Sequence, residues 1–155
     1  MYVPSQVYPG IVISTPRLEL RPLTPEDAAE IFAAITPELT RFMAWEPPGS
    51  PATMAESQAH QISAMAAGSD LHLVIRSKEG GEFLGRAGLH AIESAEPELG
   101  IWIKESAHSR GFGSGAIKAL AAWAAPRFAT FIWPVAEENI RSRRLAEALG
   151  GVPIR

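Results

Sequence analysis

The chain has 155 residues, of which 46% are hydrophobic and 20% are charged, the size and composition of one globular domain. It contains no cysteine, which excludes disulfides, thiolate metal sites and a cysteine nucleophile. A net charge of −3 without a dense lysine or arginine run argues against nucleic acid as a partner. No apolar run approaches the roughly 20 residues of a membrane span, and the first residues lack a basic signal region. We therefore predict a cytoplasmic protein that binds neither nucleic acid nor membrane.

The first half of the sequence predicts one strand and two helices. Apolar and charged residues alternate in RLELRPL (17–23), as they do in a half-buried strand. An N-cap threonine, a proline and an acidic third residue then begin a helix over residues 24–35. The prolines of WEPPGSP (45–51) argue against regular structure there. Thr53 and Glu56 repeat the capping-box spacing and predict a second helix that ends before a glycine.

The second half changes to the period of strands and then alternates strands with helices. LHLVIRS and FLGRAGLHAI flank the turn KEGGE and predict a β-hairpin. The predicted strands are 71–77, 83–92, 98–104 and 130–135, with helices after the glycine-rich stretch to about residue 125 and over 139–149. This order predicts one mixed α/β domain over residues 14–155, preceded by an N-terminal arm over residues 1–13.

Three glycines lie within five positions in SRGFGSGA (109–116), between a predicted strand and a predicted helix. In such a turn, free backbone N–H groups and a helix N-terminus converge on an anion. Arg110 adds a charge that pairs with phosphate. The spacing is neither that of a P-loop nor that of a dinucleotide fingerprint, so a plain structural turn remains the alternative.

Four stretches in chain order carry a family resemblance. The pattern Arg110-x-x-Gly113-x-Gly115 resembles the pyrophosphate loop of the GCN5-related N-acetyltransferase (GNAT) superfamily. STPRLELRPLTPEDA (14–28), RFMAWEPPGS (41–50) and the last helix, which begins NIRSRRL at Asn139, resemble the branch of ribosomal-protein N-terminal acetyltransferases. The resemblance covers roughly residues 14–152.

The resemblance implies a GNAT-like mixed sheet with helices on both faces and two central parallel strands that splay apart. Family members continue into two more strands after the last helix, one carrying a glutamate proposed as base. In the present chain, either these strands lie outside the printed sequence or the domain is truncated and its last strand edge is open. The implied cofactor is acetyl-CoA. Its pantetheine arm would bind the backbone from Ile101 to Ile103 on one side and Asn139 on the other. Trp102 lies between the two isoleucines and belongs to the same pantetheine-binding stretch. The pyrophosphate would be held by Arg110, Gly111, Phe112, Gly113, Ser114 and Gly115.

Two residues are candidates for the chemistry that the resemblance implies. Glu98, at the start of the predicted central strand, is our candidate base, with an ordinary solvent-facing strand glutamate as the alternative. Ser142 occupies the position of a serine proposed to protonate the leaving thiolate, and a local bond to the preceding helical turn is its alternative. Many superfamily members have a tyrosine on this helix, where the present chain has Ala146.

The acceptor side of the predicted cleft has two candidate residues. His90, near the end of the hairpin, is predicted to line the acceptor pocket. Trp45, beside rigid prolines, is predicted to form an apolar wall of that pocket, or else to anchor its loop in the core. The four histidines show no spacing typical of a metal site, so no metal is predicted.

The leading functional hypothesis is acetyl transfer from acetyl-CoA to a primary amine by direct attack in a ternary complex. A peptide or protein N-terminus and a small amine both remain open as acceptors. The alternative is a non-catalytic acyl-CoA-binding or partner-binding domain, which the missing tyrosine favours slightly. An open sheet edge would also allow a homodimer.

Overall fold

The computed structural model describes residues 11–41, 47–94, 96–128, 130–134 and 138–152. Five antiparallel strands form one sheet in chain order: β1 (Ile13–Ser14), β2 (Leu18–Pro22), β3 (Leu71–Ser77), β4 (Phe83–His90) and β5 (Glu98–Ile103). The helices are α1 (Ala28–Ala34), α2 (Pro37–Thr40), α3 (Pro51–Ala67), α4 (Phe112–Ala124) and α5 (Ile140–Ala148). The hairpin and the mixed α/β class are as predicted.

Strand alternation divides the sheet into two faces. Leu20 on β2 pairs with Ile75 on β3, and Leu73 pairs with Ala87 on β4, so these side chains share one face. Leu20, Leu73 and Ile75 are fully shielded from solvent. This face carries much of the hydrophobic core.

Helices cover both faces of the sheet. The Arg76 guanidinium binds the carboxylates of Asp27 and Glu30, at 2.9 and 2.6 Å, and so ties α1 and its preceding turn to one face. Arg86 reaches Gln61 of α3 on that same face at 3.0 Å. We call it the α3 face.

The opposite face is covered by α4 and is called the α4 face. A side chain built at Gly115 would lie 3.4 Å from Leu18 on β2, and one at Gly113 would lie 3.6 Å from Ile103 on β5. Helix α4 therefore crosses the sheet at close range. The helices on both faces agree with the predicted layers.

The structure differs from the predicted boundaries at three places. Helix α3 begins at Pro51, because the side chain of Ser50, not Thr53, accepts the capping hydrogen bond, from the Thr53 N–H at 3.2 Å. Ile13, assigned to the arm, is buried in β1. The strand expected over 130–135 is reduced, among its described residues, to one parallel bridge between Ile132 and Glu98.

None of the described helices combines the length and the apolar composition that crossing a bilayer requires.

Candidate active site

The first feature of the site is an opening on the free side of β5. The Leu99 N–H donates to the Ile132 carbonyl at 2.7 Å, and the Ile132 N–H donates to the Pro97 carbonyl at 2.9 Å. Beyond this bridge no further ladder bond joins β5 to the described residues 130–134. The sheet therefore parts just after Leu99.

Backbone polar groups of β5 face this opening. Peptide groups alternate along a strand, so those of Ile101 and Ile103 point the same way as that of Leu99, away from β4. Trp102 points its peptide groups towards Arg86 of β4, which leaves the predicted pantetheine contacts to the two isoleucines. One of these backbone groups is already hydrogen-bonded within the protein. The Ile103 carbonyl accepts from His108 Nε2 at 2.6 Å.

The second feature is the start of α4, whose N-cap residue is Gly111. Gly111 has a φ of +80°, a conformation that disfavours side chains. The first bond back to this turn is from the Gly115 N–H to the Gly111 carbonyl at 3.1 Å. The N–H groups of Phe112, Gly113 and Ser114 have no acceptor within the described part of the chain. They are free donors at the positive end of a 13-residue helix.

Two guanidinium groups flank these free donors. The Arg110 and Arg17 guanidinium carbons lie 4.7 and 4.5 Å from the centre of the Phe112 ring. Arg17 also donates to the Arg110 carbonyl at 2.9 Å, which anchors the loop to the start of β2. Both arginines are exposed, so their charges reach solvent beside the helix N-terminus. This is an arrangement suited to an anion.

The glycines of the loop serve two purposes. Only Gly111 has the left-handed backbone, whereas Gly113 and Gly115 turn their missing side chains towards the protein. A side chain at Gly113 would contact Ile103 and Leu145, and one at Gly115 would contact Leu18. These two glycines therefore permit the close crossing of α4 over the sheet.

The third feature is the start of α5, close to the start of α4. The Asn139 side chain accepts from the Ser142 N–H at 3.3 Å and caps the helix, which leaves its amide N–H₂ free to donate. The half-buried Ser142 hydroxyl has no partner among the described residues. Leu145 lies 3.8 Å from the position of a side chain at Gly113, so the two helix starts are neighbours.

His90 and Glu98 meet at the far end of β5. They are paired directly across β4 and β5, and both side chains are exposed. They lie on the α3 face of the sheet, whereas α4 covers the opposite face. Trp45, the other predicted pocket residue, falls outside the described residues.

A polar cluster under α3 adjoins His90. His72 is 4% exposed, and its Nε2 lies 3.1 Å from Asp70 Oδ2. Burial, helped by the nearby charge of Arg86, lowers the pKa of His72 to about 4. Burial also lowers the pKa of Arg86 to about 10, and the buried Nε of this residue lacks a partner among the described residues.

Sequence reasoning missed Asp70, Arg86 and Arg17. The spacing of His72 and His90 suggested no cluster, yet their rings lie 5.2 Å apart. A histidine inside the apolar run LHLVIRS was the one available signal. Arg17 carried none, because an exposed arginine at a strand end is ordinary.

The comparisons with known proteins agree with this fold. A family model described as acetyltransferase (GNAT) domain matches residues 17–152. No curated protein sequence matches the chain. RimL, a ribosomal L7/L12 α-N-protein acetyltransferase solved with coenzyme A, superposes with a TM-score of 0.79. Its identity is 20%, over 89% of this chain and 82% of that chain.

Two further solved structures are similar. An acetyl transferase from Salmonella typhimurium, which modifies the N-terminal serine of L7/L12, has 18% identity over 89% of this chain and 83% of its own, with a TM-score of 0.77. The microcin C7 self-immunity acetyltransferase MccE, in complex with acetyl-CoA and AMP, has 17% identity, 88% and 79% coverage, and a TM-score of 0.77. These likenesses show the fold. With the family model covering nearly the whole chain, the predicted superfamily is confirmed: this chain belongs to the GNAT acetyltransferases.

Proposed function

We propose that the protein transfers the acetyl group of acetyl-CoA to a primary amine. The observation that carries the proposal is the opening beside β5, with free amides at the start of α4 near one end and His90 and Glu98 at the other. Amides and arginines fit the phosphates of a coenzyme, and a parted strand fits its peptide-like arm. MccE was solved with acetyl-CoA and RimL with coenzyme A, and both support this choice of donor.

The residues proposed to hold the donor are those with N–H or guanidinium groups that are available to a ligand. The N–H groups of Phe112, Gly113 and Ser114, with the Arg110 and Arg17 guanidiniums, would bind the pyrophosphate. The remainder of the predicted loop, Gly111 and Gly115, shapes this turn. Bound acetyl-CoA would supply an activated acetyl group as a thioester.

The arm of the donor would meet backbone groups on both sides. The peptide groups of Ile101 and the N–H of Ile103 would bind it along β5, and the free Asn139 amide would bind it from α5. An N–H of β5 would also donate to the thioester oxygen as negative charge develops there.

The proton transfers are assigned to two side chains. The acceptor enters as an ammonium and must lose a proton before its nitrogen can attack the carbonyl carbon. Glu98 is our proposed acceptor of that proton, directly or through water. When the carbon–sulfur bond breaks, the Ser142 hydroxyl is our proposed donor to the thiolate.

The proposed reaction requires that the acceptor carry a primary amine. A peptide N-terminus and a small amine both present the required nitrogen. RimL and the Salmonella enzyme act on a ribosomal protein according to their descriptions, which favours testing N-terminal serine peptides first.

The test couples binding to turnover. Calorimetry with coenzyme A measures the donor site, and thiol release from acetyl-CoA across a panel of peptides and amines measures transfer. Arg110→Ala should weaken coenzyme A binding, whereas Arg127→Ala should not. Arg127 is the matched control, because its guanidinium also lies over an aromatic ring, 4.2 Å from the centre of Trp123, but beyond the other end of α4.

Two results would contradict the proposal. Absence of coenzyme A binding removes the donor site altogether. Tight binding without thiol release for any acceptor favours the non-catalytic acyl-CoA-binding domain instead.

A further inference from the structure

Three polar side chains meet beside Glu98, the first residue of β5. Asp70 precedes β3, His72 lies on β3 and His90 ends β4. Asp70 Oδ2 lies 3.1 Å from His72 Nε2 and 3.5 Å from His90 Nδ1. One carboxylate oxygen therefore faces both imidazoles, while the other oxygen accepts from the Ala91 N–H at 3.3 Å.

The hydrogen-bond partners of His72 determine which of its ring nitrogens carries the hydrogen. The Arg86 guanidinium lies 3.2 Å from His72 Nδ1 and can only donate, so Nδ1 accepts. The remaining nitrogen, Nε2, then carries the hydrogen and donates to Asp70. Because burial keeps His72 neutral near pH 7, His72 places no positive charge beside the Asp70 carboxylate. A guanidinium directly behind His72 also disfavours a metal cation between these three side chains.

His90 is oriented differently from His72. Its side chain is 47% exposed, and Nδ1 faces Asp70. Donation from Nδ1 to the carboxylate leaves a lone pair on Nε2. That nitrogen would lie 3.6 Å from a side-chain carbon at Gly100, and since position 100 is glycine, the nitrogen stays uncovered above β5. Glu98 is its direct cross-strand neighbour.

We infer that His90, oriented by Asp70, is a second proton acceptor for the acceptor amine, in addition to Glu98. The inference rests on the proposed acetyl transfer. Glu98 takes the proton that the ammonium loses before attack, and the freed nitrogen pair forms the carbon–nitrogen bond. His90 Nε2 then takes the second N–H proton, which the amide product does not keep, and the carbon–sulfur bond breaks to release the thiolate. The imidazolium is stabilised by Asp70 and then returns its proton to solvent, which its half-exposed ring reaches.

Charged and titratable side chains of the described chain surround His90 on the α3 face. Asp70 and His72 contact its ring, Glu98 is its cross-strand neighbour, and Arg86 lies behind His72. The adjacent end of α3, residues 61–67, has no charged side chain. Only a neutral imidazole accepts a proton, and Asp70 holds the ring with Nε2 free for that purpose. Asp70→Asn should lower kcat/KM, because the ring loses the acceptor that orients it and the charge that stabilises the imidazolium.

The experiment compares three variants by their pH profiles of kcat/KM. The probe is acetyl-CoA with whichever peptide or amine of the panel gives the fastest thiol release. His90→Gln keeps a hydrogen bond to Asp70 but accepts no proton, so kcat/KM should fall about 10²- to 10⁴-fold and the pH profile should change. His60→Gln, at an exposed position of α3, should leave the rate and profile unchanged. Asp70→Asn should also lower kcat/KM, by less than His90→Gln.

Each outcome decides for or against the inference. Coenzyme A binding by calorimetry should be the same in all variants, which separates proton transfer from damage to the donor site. If His90→Gln keeps the parental rate and profile, or if EDTA abolishes the rate and Zn²⁺ restores it, the inference is wrong while the acetyl transfer stands. If the unsubstituted protein releases no thiol with any acceptor, the proposed function fails and the inference fails with it.

Discussion

Acid should unfold this protein partly through His72. The imidazole is almost fully buried, and burial lowers its pKa from 6.5 to about 4. The unfolded chain therefore binds a proton at a higher pH than the folded chain does. The stabilising contribution is fully present above pH 6.5, declines as the pH falls, and is lost below pH 4.

The magnitude follows from the two pKa values. At about 1.4 kcal/mol per pKa unit, the full contribution is about 3 kcal/mol, of which about 2 kcal/mol is lost by pH 5.0. For a domain of this size, a loss of 2 kcal/mol lowers the melting temperature by roughly 4–8 °C. His72→Gln removes the titrating group but keeps a donor for Asp70 and an acceptor for Arg86.

The assay is urea unfolding at pH 7.5, 6.0 and 5.0 for the two proteins. Carboxylates contribute equally to both curves, so the difference isolates His72. The free energy of unfolding of the parent should fall by about 2 kcal/mol more than that of the variant between pH 7.5 and 5.0. Parallel pH dependences would refute the reasoning.

Three other predictions concern the sheet, a helix cap and the proposed anion site. Gly85→Ala should lower the melting temperature by roughly 6–12 °C, whereas Gly49→Ala should not, because a side chain at position 85 would overlap the backbone carbonyl of β5 and one at position 49 would meet open space. Asn139→Ala should cost about 1 kcal/mol in urea unfolding, and an unchanged midpoint would show that this cap contributes nothing. Coenzyme A affinity should fall with added salt in calorimetry, and the slope should be smaller in Arg110→Ala; equal slopes would exclude this arginine from phosphate binding.

The strands were predictable because their signals are local. The turn KEGGE between two apolar runs specified the hairpin without any tertiary knowledge, and β3 has the predicted bounds. The first residue of a helix was harder to predict than a strand. At the start of α3, Ser50 and Thr53 were both possible capping residues. Ser50 caps α3 because it directly precedes the proline that begins the helix, a pairing that the predicted start at Thr53 ignored.

The candidate site likewise contains some residues that local sequence patterns predict and others that only the folded structure brings together. The glycine-rich turn and Asn139 are local patterns, and the family resemblance supplied their expected roles. The cluster of Asp70, His72 and His90 depends instead on the pairing of β3 with β4, which places residues 20 positions apart side by side. That pairing contains a register shift between Ile75 and Arg76, which no pattern in the sequence indicates, so the neighbours of His90 emerged only with the fold.

The bond from Arg17 to the Arg110 carbonyl joins segments 93 residues apart in the chain. The proposed donor pocket therefore forms only when folding is complete, since neither segment by itself holds the loop that is proposed to bind phosphate. Proteolytic nicking or thermal fraying at β2 should release the coenzyme before the central hairpin opens. Occupancy by coenzyme A would thus protect the edge of the sheet, linking the lifetime of the folded chain in a cell to the supply of its own acyl donor.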